Sequence, residues 1–418
     1  MAIDRRRFLQ TAGSAAGLSL LPIGRSGFAA SLGAQGPSGA PAPRLVVIFL
    51  RGAVDGLNVV APYGERAYYD YRPTIAVPKP GTEDGLVDLD GHFGLHPALS
   101  PLTPLWQAKS LAFVHASGSP DPTRSHFDAQ FYMESGTPGI KTTPDGWMNR
   151  LLASLPGPHR PTEGVSFGAT TPRIFTGAAA VASVPQGRNA TRPEATDRPL
   201  VSSAFARLYD GNDAMSRAYR EGQAARGKLM TDLAADMTQA DNGAPLPDSF
   251  VTDSARLAQL FTKDAGVRLA FIAFGGVDTH VEQGGARGRL ASRLAPLGQG
   301  LANLAAGLGP AWRDTIVLVI SEFGRTAREN GNAGTDHGHG NALWVMGGPV
   351  AGGKVYGAWP GLESQALYQN RDLAVTTDFR SIVATVLERH FRLSDTALER
   401  IFPAAPARGQ GVDSLVRA

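Results

Sequence analysis

Residues Leu45–Asn58 read LVVIFLRGAVDGLN: six apolar side chains in a row, then a glycine-containing turn that presents an aspartate. A half-buried strand would alternate polar and apolar positions; an unbroken apolar run marks a strand buried on both faces. The same signature recurs along the chain. LAFVHAS (Leu111–Ser117) leads into a proline-containing loop, RLAFIAFGGVDTH (Arg268–His280) ends on Asp278 and His280, and TIVLVISEFGRT (Thr315–Thr326) delivers Glu322. ALWVMGG (Ala342–Gly348) reads as one further buried strand. Helical patterns lie between them: PALSPLTPLWQ (Pro97–Gln107), RLAPLGQGLANLAAGL (Arg293–Leu308) and DFRSIVATVLERHF (Asp378–Phe391). Strands alternating with helices predict an α/β fold, a mostly parallel central sheet with helices on both faces. In such sheets ligands bind beyond the carboxyl ends of the strands, where every polar cluster noted above falls.

The ends of the chain are different. DRRRFLQ (Asp4–Gln10), a weakly apolar run to Ile23 and small residues beyond Arg25 make a secretory signal over residues 1–29. The arginine pair ahead of Phe8 and Leu9 resembles the twin-arginine export signal, although Asp4 and Gln10 depart from its favoured end residues. That resemblance implies the twin-arginine (Tat) export machinery as a partner and a periplasmic or secreted location. Residues 30–43 form a low-complexity linker, and residues 44–418 a single α/β domain. Within it, a Gly/Ala/Pro-rich stretch and a polar helical segment (Ser203–Met237) predict an inserted helical and loop cap at about 169–253.

Charge and cysteine content narrow the chemistry. Residues 1–29 carry four arginines against one aspartate, which equals the +3 of the whole chain, so the remainder is neutral. A neutral body gives no electrostatic footprint for nucleic acid. Beyond the signal no apolar run reaches the roughly 18 residues of a membrane span, so the chain is not expected to be an integral membrane protein. There is no cysteine. Any metal must therefore be held by histidine, carboxylate and backbone oxygen.

Five loops supply such groups: Asp55; Ser125 and His126; Asp278 and His280; Glu322; and Asp336, His337 and His339. Asp278 and His280, two positions apart, project to one side of an extended segment. GTDHGHGN (Gly334–Asn341) puts two of the nine histidines beside an aspartate in a segment too glycine-rich for a helix or an ordinary strand. Buried without partners, those groups would be costly, so a shared divalent cation (Zn, Mn, Mg or Ca) or an anion is the expected explanation. In DPTRSHFDAQFYMESG, Ser125 and Asp128 resemble a capping pair that starts a helix. A hydroxyl there, Ser125 or Thr123, is also where a nucleophile gains from the helix N-terminus. Each has a plainer reading: Asp55 as a turn residue, Glu322 as a partner for Arg325, Ser125 as a cap alone. His92, His96, His115, His159 and His390 have no comparable company.

Taken in order behind the signal, RGAVDGLN, TRSHFDAQFYMESG, GVDTH, SEFGRT and DHGHGN resemble the bacterial domain-of-unknown-function family 1501, over Arg44 to about Phe391. That family is related to the alkaline phosphatase and sulfatase superfamily. The resemblance implies an alkaline-phosphatase-like fold and one or two divalent ions, with a hydroxyl nucleophile acting on phosphate or sulfate esters. On that basis Asp55 matches the first-strand metal aspartate, Ser125 the nucleophile with Thr123 as the alternative, and Asp278 and His280 the mid-chain ligands. His339 or His337 matches the late histidine. Where the superfamily usually carries an aspartate–histidine pair, this chain has Glu322-Phe323, and Asp336-His337 could supply a replacement. The reading is an exported metal-dependent hydrolase of an anionic ester, with His126 or His337 managing the proton. The alternative is a catalytically degenerate relative that binds an anionic ligand or a partner protein. Asp55, His280 and His339 are expected in one pocket.

Overall fold

The first strand, β1 (Arg44–Leu50), is buried at every position, and its side chains alternate between two cores. Val46, Ile48 and Leu50 point into one, with Leu257, Phe261, Leu294 and Leu301. Leu45, Val47 and Phe49 point into the other, with Trp147, Leu151, Phe379 and Ile382. This two-sided burial is the physical reason for the unbroken apolar run. The computed structural model describes residues 42–157, 159–168, 170–184, 199–217, 219–220, 249–406 and 411–417. The signal at 1–29, nearly all of the linker and about half of the 169–253 stretch, including 221–237, lie outside the described residues.

Three two-residue strands, β2 (Val60–Ala61), β3 (Val87–Asp88) and β4 (Gly94–Leu95), form a small separate sheet. The central sheet uses β1, β5 (Leu111–Gly118), β6 (Gly164–Phe167), β7 (Ala182–Val184), β8 (Leu269–Phe274) and β9 (Thr315–Ser321), then β10 (Asn341–Gly347), β11 (Val355–Tyr356) and β12 (Thr377–Asp378). Its order is β11-β5-β10-β9-β1-β8-β6-β7, with β12 also paired to β5. The pairings β1–β8, β1–β9, β6–β8, β6–β7, β11–β5 and β12–β5 are parallel. Only β10 runs against both of its neighbours. The fold is α/β with a mainly parallel sheet.

Helices Ser249–Lys263 and Arg289–Leu308 cover one face; Trp147–Ser154 and Phe379–Phe391 cover the other. Pro97–Gln107 is a 3₁₀ turn followed by a short α-helix. Asp378 caps the Phe379 helix by accepting from the Arg380 N–H. Strand β7 falls inside the stretch read as a cap and extends the central sheet instead, while Pro199–Leu208 within that stretch is helical. Among the described residues no helix is long and apolar enough to cross a membrane.

The reversal of β10 matters for the site. Loops following β1, β5, β8 and β9 leave the carboxyl edge of the sheet, and the loop preceding an antiparallel strand reaches that same edge. GTDHGHGN therefore joins the others.

Candidate metal centre

Three imidazoles meet at that edge. His126 begins the helix His126–Ser135 after β5, His280 follows β8, and His337 precedes β10. Nε2 of His337 lies 2.9 Å from Nε2 of His126 and 2.9 Å from Nε2 of His280. Asp278 closes the group, its oxygens 3.1 Å from His280 Nε2, 3.6 Å from His126 Nε2 and 3.7 Å from His337 Nε2.

Each ring is fixed from behind by an acceptor. His126 Nδ1 faces Glu322 Oε1 at 2.8 Å, His337 Nδ1 the Arg124 carbonyl at 2.9 Å, and His280 Nδ1 Asp336 Oδ1 at 3.3 Å. Carboxylates and carbonyls only accept, so the ring proton of each neutral imidazole belongs on Nδ1. All three Nε2 lone pairs then point at one another. One added proton on His337 Nε2 could bridge to only one neighbour. A cation between His126, His337 and Asp278 answers this, and histidines held through their second nitrogen are the usual supports of a metal ion. In a tetrahedral zinc site with bonds of 2.0–2.1 Å, neighbouring ligand atoms stand about 3.3 Å apart; the ligand atoms of His126, Asp278 and His337 all lie within 4.8 Å of one another, with His280 beside His337 and Asp278. The donor set fits a metal ion.

Glu322 is fully buried, and burial alone would raise its pKa. Hydrogen bonds from His126, Gln130 Nε2 (2.9 Å) and the Gly52 N–H (2.8 Å) outweigh that and hold it below the ordinary range. The bond to Glu322 in turn raises the pKa of His126, whereas burial lowers that of His337. Asp278 is lowered: desolvation opposes ionisation, but Arg325, His280 and His126 prevail. Side-chain exposures of 41% for Asp278 and 39% for His280 leave the cluster open to a ligand from solvent.

The structure brings Asp278, His280 and His337, three of the residues expected to hold a metal, together, and His126, read as a catalytic group, lies beside them. Glu322 and Asp336 are not at the centre; they orient His126 and His280. The anticipated Glu322–Arg325 pair does not form. The Arg325 guanidinium instead pairs closely with Asp278 and lies 3.4 Å from His280 Nε2. Asp55 and His339 do not converge with His280. Asp55 is fully buried with Oδ1 and Oδ2 taken by Arg72 (3.0 and 2.6 Å) and Oδ2 also by Gln283 (2.6 Å). His339 holds the Ser119 carbonyl at 3.1 Å and packs on Tyr368. Ser125 occupies the N-cap position, yet its hydroxyl makes no capping bond, and Asp128 pairs with Lys141 at 2.8 Å. Thr123 Oγ1 accepts from the Ser125 N–H at 3.2 Å.

Phe323, standing where the superfamily pattern leads one to expect histidine, packs on His126 and His337 with ring centroids 5.0 and 5.1 Å away. The glycines of the last loop have a steric cause. A Cβ on Gly334 would sit 2.3 Å from the His280 carbonyl group, and one on Gly338 would sit 2.4 Å from that of Arg325. His96, His115 and His390 each hold a backbone carbonyl, of Gly285, Val60 and Arg44.

The family whose model matches residues 42–402 is described as "Protein of unknown function (DUF1501)". The chain belongs to this family. A search of curated proteins gives no match. Among solved structures, the C-terminal periplasmic domain of EcEptC from Escherichia coli, in complex with Zn, is similar at 11% identity and TM-score 0.35. That alignment covers 74% of this DUF1501 chain and 74% of the other. Ps i-CgsB in complex with k-i-k-neocarrahexaose aligns at 10% identity and TM-score 0.41, over 87% and 76%. Alkaline phosphatase from the Antarctic bacterium TAB5 aligns at 13% identity and TM-score 0.31, over 74% and 93%. Likeness this distant carries no assignment of chemistry to the DUF1501 chain.

Proposed function

We propose that this protein is an exported, metal-dependent hydrolase of a phosphate or sulfate ester. The convergence of three Nε2 lone pairs and the Asp278 carboxylate supports the reading most directly. His126, His280, His337 and Asp278 are the ligands. An imidazole-rich set with one carboxylate favours a borderline ion such as zinc over magnesium or calcium. A bound divalent cation would supply Lewis-acid polarisation of a phosphoryl or sulfuryl oxygen. Ser125, exposed beside His126 and unused as a cap, is the nucleophile; Thr123 fixes its backbone. The N-terminus of the helix that begins at His126 favours an anionic group. His126 and His337 serve as ligands and not as proton carriers. The twin-arginine-type N-terminus supports delivery to the periplasm.

One observation favours a second reading. Arg325 reaches both Asp278 and His280 Nε2, so its guanidinium, with one proton shared between His126 and His337, could satisfy the cluster without a metal. The molecule would then bind an anionic ligand or a partner without turnover.

Metal analysis of the purified protein separates the two. About one equivalent of zinc or manganese, removed by chelator and restored on addition, is expected, together with cleavage of a phosphate or sulfate ester by the loaded form. No bound ion after loading overturns the metal reading; a bound ion with no activity on phosphate monoesters, phosphate diesters or sulfate esters overturns the hydrolase. Replacing Arg5 and Arg6 by lysine is expected to hold the protein in the cytoplasm; unchanged fractionation would rule out the twin-arginine route.

A further inference from the structure

The fully buried amide of Gln283 touches neither the imidazoles nor Asp278, yet it joins the loops that carry them. Its Oε1 accepts from Thr279 Oγ1 at 2.7 Å and from Thr335 Oγ1 at 2.9 Å, and its Nε2 donates to Asp55 Oδ2 at 2.6 Å. Thr279 stands between Asp278 and His280, and Thr335 directly precedes Asp336 and His337. The orientation of the amide is forced. An ionised carboxylate has no proton to give, so NH₂ must face Asp55 and the carbonyl oxygen must face the two hydroxyls.

Asp55 is itself immobilised. Arg72 grips both of its oxygens and donates to the carbonyls of Thr326 and Ala327 and to Asn58 Oδ1. Tyr68 donates to Asn58 Oδ1 and accepts from the Val77 N–H. Asp55, Asn58, Tyr68 and Arg72 are all fully buried. Backbone bonds stitch the same loops together: Thr335 N–H to the Thr279 carbonyl, and Gln283 N–H to the Ala333 carbonyl.

We infer that Gln283 is a positioning residue for the cation site, transmitting the fixed frame of Asp55 and Arg72 through Thr279 and Thr335 to the distance between the Asp278–His280 pair and His337. The inference rests on the metal reading proposed above. It also assigns Asp55 a part in the site at one remove. A side chain here needs one acceptor for two hydroxyls and one donor for a carboxylate. Glutamate would set like charge against Asp55, and methionine, of similar size, would leave three polar groups short of a partner.

The test uses the full chain with Gln283→Met, Thr335→Val, Thr335→Ser and Thr279→Ser. Zinc affinity is read by chelator competition, and ligand geometry by the visible absorption of the cobalt-substituted protein. Gln283→Met is expected to weaken zinc about 10- to 100-fold and shift the cobalt bands, with both serine variants within about threefold of the parent. Thr335→Val, close to isosteric, is expected to lose affinity in the same direction and carries the decision if Gln283→Met does not fold. If the parent binds one equivalent and the methionine and valine variants match it in affinity and spectrum, the inference is overturned while the metal reading stands. If the parent binds no zinc, both fall.

Discussion

Two polar groups built from similar residues lie beneath the same edge of the sheet. In one, Asp55 accepts from Arg72 and Gln283, and Arg72 and Tyr68 both donate to Asn58; none of these side chains reaches solvent. In the other, His126, His280, His337 and Asp278 bring lone pairs and a negative charge together, partly open to solvent. A buried ionic network that balances internally is structural, and its strength lies in completeness. A cluster that leaves imidazole lone pairs facing one another is, on the reading proposed above, completed by a partner from outside the chain. Conformation alone separates these cases, because both draw on aspartates at strand ends.

The contrast can be broken by mutating each side. Asp55→Ala would strand Arg72 in the core, an uncompensated buried charge that costs about 3–5 kcal/mol of folding stability. Denaturant unfolding measures this, and an unchanged midpoint would show that the Asp55 network is not structural. Acid acts next. Burial lowers His115 and His390 from the ordinary imidazole value of 6.5 to about 4. Unfolding releases both to take up protons, so their stabilising effect is complete above about pH 6.5, falls as the pH drops towards 4 and is flat below. Each contributes on the order of 3 kcal/mol at the shifts cited. His115→Gln should flatten the stability profile across that window; an unaltered slope would refute the assignment.

On the other side of the comparison, His337→Ala is expected to lower cation affinity by at least about 100-fold while changing stability little in the metal-free protein. Elemental analysis with parallel unfolding would show it, and full cation content in the variant would sink the cluster. The smallest effect belongs to Glu322→Gln, which keeps an acceptor for His126 but removes its charge: about tenfold weaker binding. Affinity equal to that of the parent would mean that Glu322 only packs.

Much of the architecture was legible before any coordinates. The apolar runs at Leu45, Leu111, Leu269 and Ile316 read as doubly buried strands because they are short, rich in β-branched and aromatic residues and bounded by turn residues. The direction of β10 was not legible, since burial pattern carries no polarity. The site was legible as a list of loops and not as a set of ligands. Asp278, His280 and His337 come together, but nothing in RGAVDGLN shows that Arg72, seventeen positions on, neutralises Asp55. His126 was visible as a neighbour of a candidate nucleophile, and only its Glu322 contact shows that its second nitrogen is aimed at the other imidazoles. Gln283 carries no sequence signal at all: a lone amide is a common residue, and its value comes from three partners 4, 52 and 228 positions away.

Because β9 and β10 are antiparallel neighbours, the stretch from Glu322 to Gly340 is the tip of one long hairpin, with Glu322 at one foot and His337 near the other. Its closure requires a short chain reversal, whereas His126 must arrive from 211 positions away and His280 from across a whole crossover helix. Local closures outrun distant ones. His337 and the Glu322 carboxylate that backs His126 can be set early and wait, incomplete, for the remaining two imidazoles and Asp278, so capture of an ion would report the last act of folding and not the first.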